Sequence, residues 1–141
     1  MALRQLERND AGTYALILHL PRARRIRVGA LGRFRFPRGW YVYVGSALNG
    51  LTMRIVRHMR DDKIKFWHID YLSEYAFVKG LWTHRGAERL ECGIARKTLR
   101  RAGARIIAPR FGSSDCKCLT HLIYFSTQPR FEVFQIKNRK S

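Results

Sequence analysis

Apolar positions fall into short blocks along the chain, and their spacing separates strands from helices. Residues 14–20, YALILHL, form a run with few charges, short enough for a strand. Residues 21–25, PRARR, make a basic turn. Residues 26–36 then alternate apolar and basic side chains around Gly29 and Gly32, the pattern of a short hairpin. Pro37-Arg38-Gly39 is a second turn, and WYVYV at 40–44 is a strand ended by Gly45. In that strand Tyr41 and Tyr43 share one face, while Trp40, Val42 and Val44 share the other.

The period changes after Gly50. Leu51, Ile55 and Met59 recur every four residues, which predicts a helix over 51–60 with Asn49 as its cap. A second helix is expected at 66–76, a strand at 77–82, and a third helix at 87–102 closed by Gly103. Residues 104–108 read as a strand, 109–120 as a loop, and 121–126 and 131–136 as closing strands. The first ten residues and the last few, KNRKS, are expected to fray. This order implies an α+β domain, with a small, mostly antiparallel sheet flanked by about three helices and an inserted basic hairpin.

Length agrees with a single domain spanning 1–141, its core at about 12–126. A chain of 141 residues buries roughly 70% of its unfolded surface, so it needs no disulfide or metal to fold. Charge adds more. The formal net charge is +18, from 28 basic and 10 acidic residues, and 21 of the basic residues are arginine. Repulsion of this size in a chain that is 46% hydrophobic points to a polyanionic partner and excludes a disordered tail. Arginine grips phosphate bidentately and stacks on bases, although thermal adaptation or a GC-rich genome also enriches it. Cys92, Cys116 and Cys118 are odd in number, and two of them are too close for an ordinary disulfide framework, which suggests a reducing, cytoplasmic setting. The start MALRQLERND has no apolar core for a signal peptide, and no stretch approaches the ~18 apolar residues of a membrane span. Neither a membrane nor an obligate protein partner is expected.

Several side chains could carry chemistry. If the strands holding Tyr14 and Tyr43 are antiparallel neighbours, the two hydroxyls could meet; otherwise both are ordinary strand aromatics. Arg54 and His58 lie four apart on the helix edge beside Leu51, either holding a phosphate or forming a solvated edge. On the third helix Arg89, Arg96, Lys97, Arg100 and Arg101 fill one side, and Glu91 falls in the middle of the apolar side. A carboxylate aimed at a core needs a metal ion or an arginine partner. Cys116, Cys118 and His121 form a C-x-C-x-x-H cluster with no fourth ligand nearby in sequence, so a structural loop is favoured there over zinc.

Taken together these residues resemble the GIY-YIG nuclease superfamily. Gly12-Thr13-Tyr14 matches the first triplet and Tyr43-Val44-Gly45 the second. YVGSALNGLTMRIVRH resembles the strand, turn and helix that follow, with Arg54 in the catalytic arginine position, His58 in the frequent histidine position and Glu91 matching the metal-binding glutamate. FRFPRGWYVYVGSA, FWHIDYL, LECGIA and FGSSDCKCLTHLIYF are similar to the small Uri-type branch of endonucleases, over residues 12–126. Thr13 departs from the usual apolar residue, and the two tyrosine motifs stand further apart than usual. The extra residues, about 22–38, carry seven arginines.

The resemblance implies a metal-dependent endonuclease that hydrolyses phosphodiester bonds in DNA with one Mg²⁺ or Mn²⁺ ion, in a role such as DNA repair. Tyr14 would act as general base or position the attacking water, Tyr43 would hydrogen-bond beside it, and Arg54 would hold the phosphate. His58 would assist, and Glu91 would hold the metal. Arg24, Arg25, Arg27, Arg33, Arg35, Arg57 and His68 would contact nucleic acid, although His68 could equally cap or pair with Asp70. The alternatives are a module of the same fold that binds DNA or RNA without efficient cleavage, and a ribosome-associated RNA-binding protein.

Overall fold

A computed structural model describes residues 10–114, 116–130 and 134–135. The chain runs β1 (Gly12–Leu20), β2 (Arg24–Val28), β3 (Gly32–Phe36), β4 (Gly39–Ala47), α1 (Leu51–Met59), α2 (His68–Ser73), β5 (Phe77–Arg85), α3 (Glu91–Leu99), β6 (Leu122–Phe125) and β7 (Phe134–Gln135). The main sheet is antiparallel, ordered β6-β4-β1-β5-β7. β2 and β3 form a separate two-stranded sheet. The α+β class expected from the pattern is the observed one.

β1 is the central strand, paired with β4 on one side and β5 on the other. That position explains its lack of charge, because both faces are covered. Tyr14, Leu16, Leu18 and Leu20 face a larger core with Tyr41, Tyr43, Leu51, Ile69 and Leu72. Ala15 and Ile17 face a smaller core, where Val42, Val44, Ile123 and Phe125 pack against Ala95, Ile94 and Leu99 of α3. The sheet therefore carries α1, α2 and the hairpin on one face and α3 on the other.

The hairpin shows how its charge is tolerated. Ile26, Val28 and Phe36 are buried, while Arg25 lies opposite Arg35 and Arg27 opposite Arg33 on the exposed face. Like charges directly opposed disfavour pairing by something on the order of 0.2–1 kcal/mol per pair. Each buried aliphatic or aromatic side chain returns about 1.5–3 kcal/mol. The inner face decides, and four guanidinium groups are held together in solvent.

Element ends depart from expectation for local reasons. The hairpin begins at Arg24, inside the expected turn. Asn49 does not cap α1. Gly50, at φ 147°, occupies the cap without a side-chain bond, and Asp10 does the work from outside the helix. Its carbonyl accepts from Leu51 N–H at 2.7 Å and its carboxylate from Thr52 N–H and hydroxyl, both at 2.9 Å. The second helix is shorter than expected, because the Asp70 carboxylate accepts the N–H groups of Phe66 (2.8 Å) and Trp67 (2.9 Å) and fixes the start. The third helix spans Glu91–Leu99 rather than 87–102, with Gly86 at φ 151° and 3₁₀-type bonds after Leu99. Residues 104–108 make only a bridge, Arg105 to Tyr124, and β5 extends to Arg85. Of the expected strand at 131–136 only Phe134–Gln135 is described; residues 1–9 and 136–141 lie outside the described residues. No described helix is long and apolar enough to cross a membrane.

Candidate functional site

The β1–β4 register sets Tyr14 opposite Gly45 and Leu16 opposite Tyr43. The Tyr14 ring crosses over Gly45: a Cβ there would lie 2.5 Å from the phenol oxygen and 2.6 Å from Cζ. β4 runs on to Ala47 rather than ending at Gly45, and Gly45 makes the space that Tyr14 fills, the steric reason for a glycine at this point of the strand. The Tyr14 and Tyr43 rings come to 6.4 Å between centroids. The wider spacing between the two motifs is absorbed by the β2–β3 hairpin, which leaves this pairing intact.

α1 brings the next two side chains. His58 is buried, and its Nε2 lies 2.7 Å from the Tyr14 hydroxyl. Arg54, one turn earlier, donates through Nη1 to the Ser46 carbonyl at 3.2 Å and lies over the Trp67 ring at 4.3 Å. Those contacts hold its planar guanidinium while leaving most of its five donors free. From the opposite side the first residue of α3, Glu91, closes the site. A cleft of about 460 Å³ is lined by Tyr14, Tyr43, Arg54, Trp67, Arg89 and Glu91 among others. Among the described residues no ion pair or hydrogen bond engages the Glu91 carboxylate, so the buried Glu–Arg pair that was one expectation does not form.

Burial dominates the electrostatics. It pushes the Tyr14 phenol well above its ordinary range, and nearby Arg54 offsets only part of this. Burial also raises Tyr43, with Tyr14 adding to the effect. Burial pushes His58 down to about 3, against the pull of Asp70. At neutral pH His58 is therefore neutral and the Tyr14 phenol protonated. The hydroxyl can donate to Nε2, which leaves a proton on His58 Nδ1, a buried atom with no partner among the described residues.

Two residues expected at nucleic acid make bonds within the scaffold. Arg57 makes a bidentate pair with buried Asp70, at 2.9 Å to each oxygen, and also donates to the Ile64 carbonyl at 3.0 Å. His68 accepts the Gly112 N–H on Nδ1 at 2.8 Å rather than pairing with Asp70. Both locate loops under the cleft. Arg25, Arg27, Arg33 and Arg35 are exposed on the hairpin, and Arg24, also exposed, lies over the Tyr75 ring at 3.9 Å.

The cysteine reading needs correction. Cys92, on the first turn of α3, joins Cys116, Cys118 and His121, and their ligand atoms all lie within 4.8 Å of one another. The group has the fourth ligand that the local sequence lacked, and it could hold a metal ion. Cys92 and Cys118 also stand at disulfide distance, against the expectation of unbridged cysteines, and Cys116 is free. Cys92 was concealed by its distance in sequence from the C-x-C-x-x-H run. Trp67, which lies under both Arg54 and Arg57, was also missed, because an aromatic at a helix start reads as core.

A family model, described as Domain of unknown function DUF123, matches residues 13–140, and the chain belongs to that family. No curated protein and no solved structure matches it.

Proposed function

We propose that this chain is a phosphodiesterase of the GIY-YIG type, a metal-dependent endonuclease acting on DNA in the cytoplasm. The observation that carries the reading is convergence. Tyr14, Tyr43, Arg54 and Glu91, drawn from β1, β4, α1 and α3, line one cleft, with His58 hydrogen-bonded behind Tyr14.

Each side chain has a task its surroundings suit. Arg54 binds the phosphodiester with the donors not used on Ser46 and stabilises charge as it develops. Tyr14 turns its proton inward to His58, so its lone pairs are free to accept a proton from the attacking water and orient it. The phosphodiester anion favours protonated His58 and so aids passage of the phenolic proton to Nε2. Tyr43 walls the cleft beside Tyr14. Glu91, a cleft carboxylate without a partner among the described residues in a chain of charge +18, fits Mg²⁺ or Mn²⁺, hard ions commonly held by one or two carboxylates plus water and phosphate. Such an ion would supply neutralisation of the leaving oxygen. The exposed hairpin arginines bind flanking phosphates.

A second reading, a nucleic-acid-binding module without efficient cleavage, is favoured by the burial that keeps both phenols protonated. Plasmid, branched DNA and structured RNA are incubated with the protein in Mg²⁺ or Mn²⁺ beside Glu91→Ala and Tyr14→Phe. Nicking that both variants abolish is expected. Cleavage that survives Glu91→Ala overturns the metal assignment, and tight, salt-sensitive binding without cleavage establishes the module. Preference for RNA moves the substrate class.

A further inference from the structure

The four-residue cysteine and histidine group lies beside the cleft and takes no part in the proposed cleavage. We infer that Cys92, Cys116, Cys118 and His121 form a closed structural zinc site that fixes the start of α3, and with it Glu91. Zinc favours four nitrogen and sulfur ligands in a tetrahedron, and three cysteines with one histidine are a complete set.

The geometry around His121 points to a shared ion. Its Nε2 lies 3.5 Å from Cys92 Sγ and 3.4 Å from Cys116 Sγ. In a tetrahedral site with Zn–S of about 2.3 Å and Zn–N of about 2.0 Å, the sulfur-to-nitrogen edge is about 3.5 Å. One ring nitrogen has a single lone pair or a single proton, so it satisfies one thiol well and two poorly. An ion at the centre uses both contacts. A Cys92–Cys118 disulfide gives neither Cys116 nor the His121 ring a function.

The surroundings are built to hold these ligands. Arg110, at φ 68°, donates to the carbonyls of Cys118 at 2.7 Å, Ser113 at 2.6 Å and Cys116 at 2.6 Å, gathering the loop around its guanidinium. His121 is locked at both ends of its backbone, donating to the Phe111 carbonyl at 2.7 Å and accepting from Val44 N–H at 2.9 Å. Val44 stands between Tyr43 and Gly45, so the site is fastened to the strand that carries the tyrosine motif. Cys92 follows Glu91 directly, so binding Cys92 also orients the carboxylate at the cleft. Cys92, Cys116 and His121 themselves line that cleft. An ion here would be a wall of the active site, distinct from the one proposed at Glu91 in its ligands and in its exchange with solvent.

The test is metal analysis of the full chain, purified anaerobically with reductant and reconstituted with zinc. About one zinc per chain, retained after washing with a weak chelator, is expected. Replacement by Co²⁺ should give tetrahedral ligand-field bands with sulfur-to-cobalt charge transfer, a readout that needs no variant to fold. Cys116→Ser and His121→Ala should each lower zinc at least tenfold, His121→Cys should retain it, and Lys117→Ser should leave it unchanged. Less than a tenth of an equivalent in reduced wild type overturns the inference. So does a metal-free protein with a single reactive thiol, which would make Cys92–Cys118 a disulfide. Because the readout is bound metal, it stands or falls separately from nuclease activity.

Discussion

Burying a neutral histidine under Tyr14 makes the fold sensitive to mild acid. His58 is 3% exposed, and burial moves it from an ordinary 6.5 to about 3. Its folded pKa lies below its unfolded one, so its contribution to stability is complete above pH 6.5 and drains away as pH falls toward about 3. Between pH 7 and pH 5 the unfolded chain takes up a proton that the folded chain refuses, a loss of roughly 2 kcal/mol. With a urea m-value of about 2 kcal/mol/M, the midpoint should fall by about 1 M. Asp70 does not blur this window. Its burial is outweighed by Arg57 and two backbone N–H groups, so its carboxyl sits below its ordinary value and its contribution is lost only at lower pH. Burial lowers His19, His68 and His121 as well, but they are common to wild type and variant and cancel in the comparison. Urea denaturation of wild type and His58→Gln at pH 7 and pH 5 provides the assay, with the His58 Cε1 proton followed by NMR. The variant should lose the extra acid sensitivity. Equal midpoint shifts in both proteins, or a His58 resonance titrating near 6.5, would refute the reasoning.

Gly45→Ala should destabilise by about 1–3 kcal/mol, because its Cβ meets Tyr14 at 2.5 Å, and it should remove any nicking before it unfolds the chain. Thermal melts beside the plasmid assay check both parts. Asp70→Ala leaves the half-buried Arg57 guanidinium and two backbone N–H groups without their acceptor and should cost about 1–3 kcal/mol by denaturant titration. A loss under about 1 kcal/mol would show the pair to be dispensable. Replacing Arg25, Arg27, Arg33 and Arg35 by Gln should reduce the slope of log binding constant against log salt by about 0.9 for each phosphate no longer neutralised. Stability should hold or rise, since opposed like charges are removed; an unchanged slope would place nucleic acid elsewhere.

Much of the architecture was legible because burial leaves a period in the chain. The charge-free run at 14–20 is the central strand, and the alternation at 26–36 is the hairpin, since a side chain's face follows from its parity. Helix ends were less legible. α1 takes its cap from Asp10, some forty residues earlier. No local window contains such partners. The same limit governed the site. Tyr14, Tyr43, Arg54, His58 and Glu91 were nominated by motif, but Arg57 reads as a free cation until the fold sets Asp70 beneath it.

The sequence by itself determined the domain class, the net charge of +18 and the residue types available for chemistry, because these follow from composition and from short-range periodicity. Tertiary structure decided which of those residues meet. Strand register laid Tyr14 across Gly45, α1 set His58 behind it, and packing of α3 on the far face brought Cys92 to a cluster that is incomplete in sequence. The physical reason is range. Propensity and pattern act over a few residues, whereas a site is made where distant segments are driven together by burial, and its ligands need be neighbours only in space.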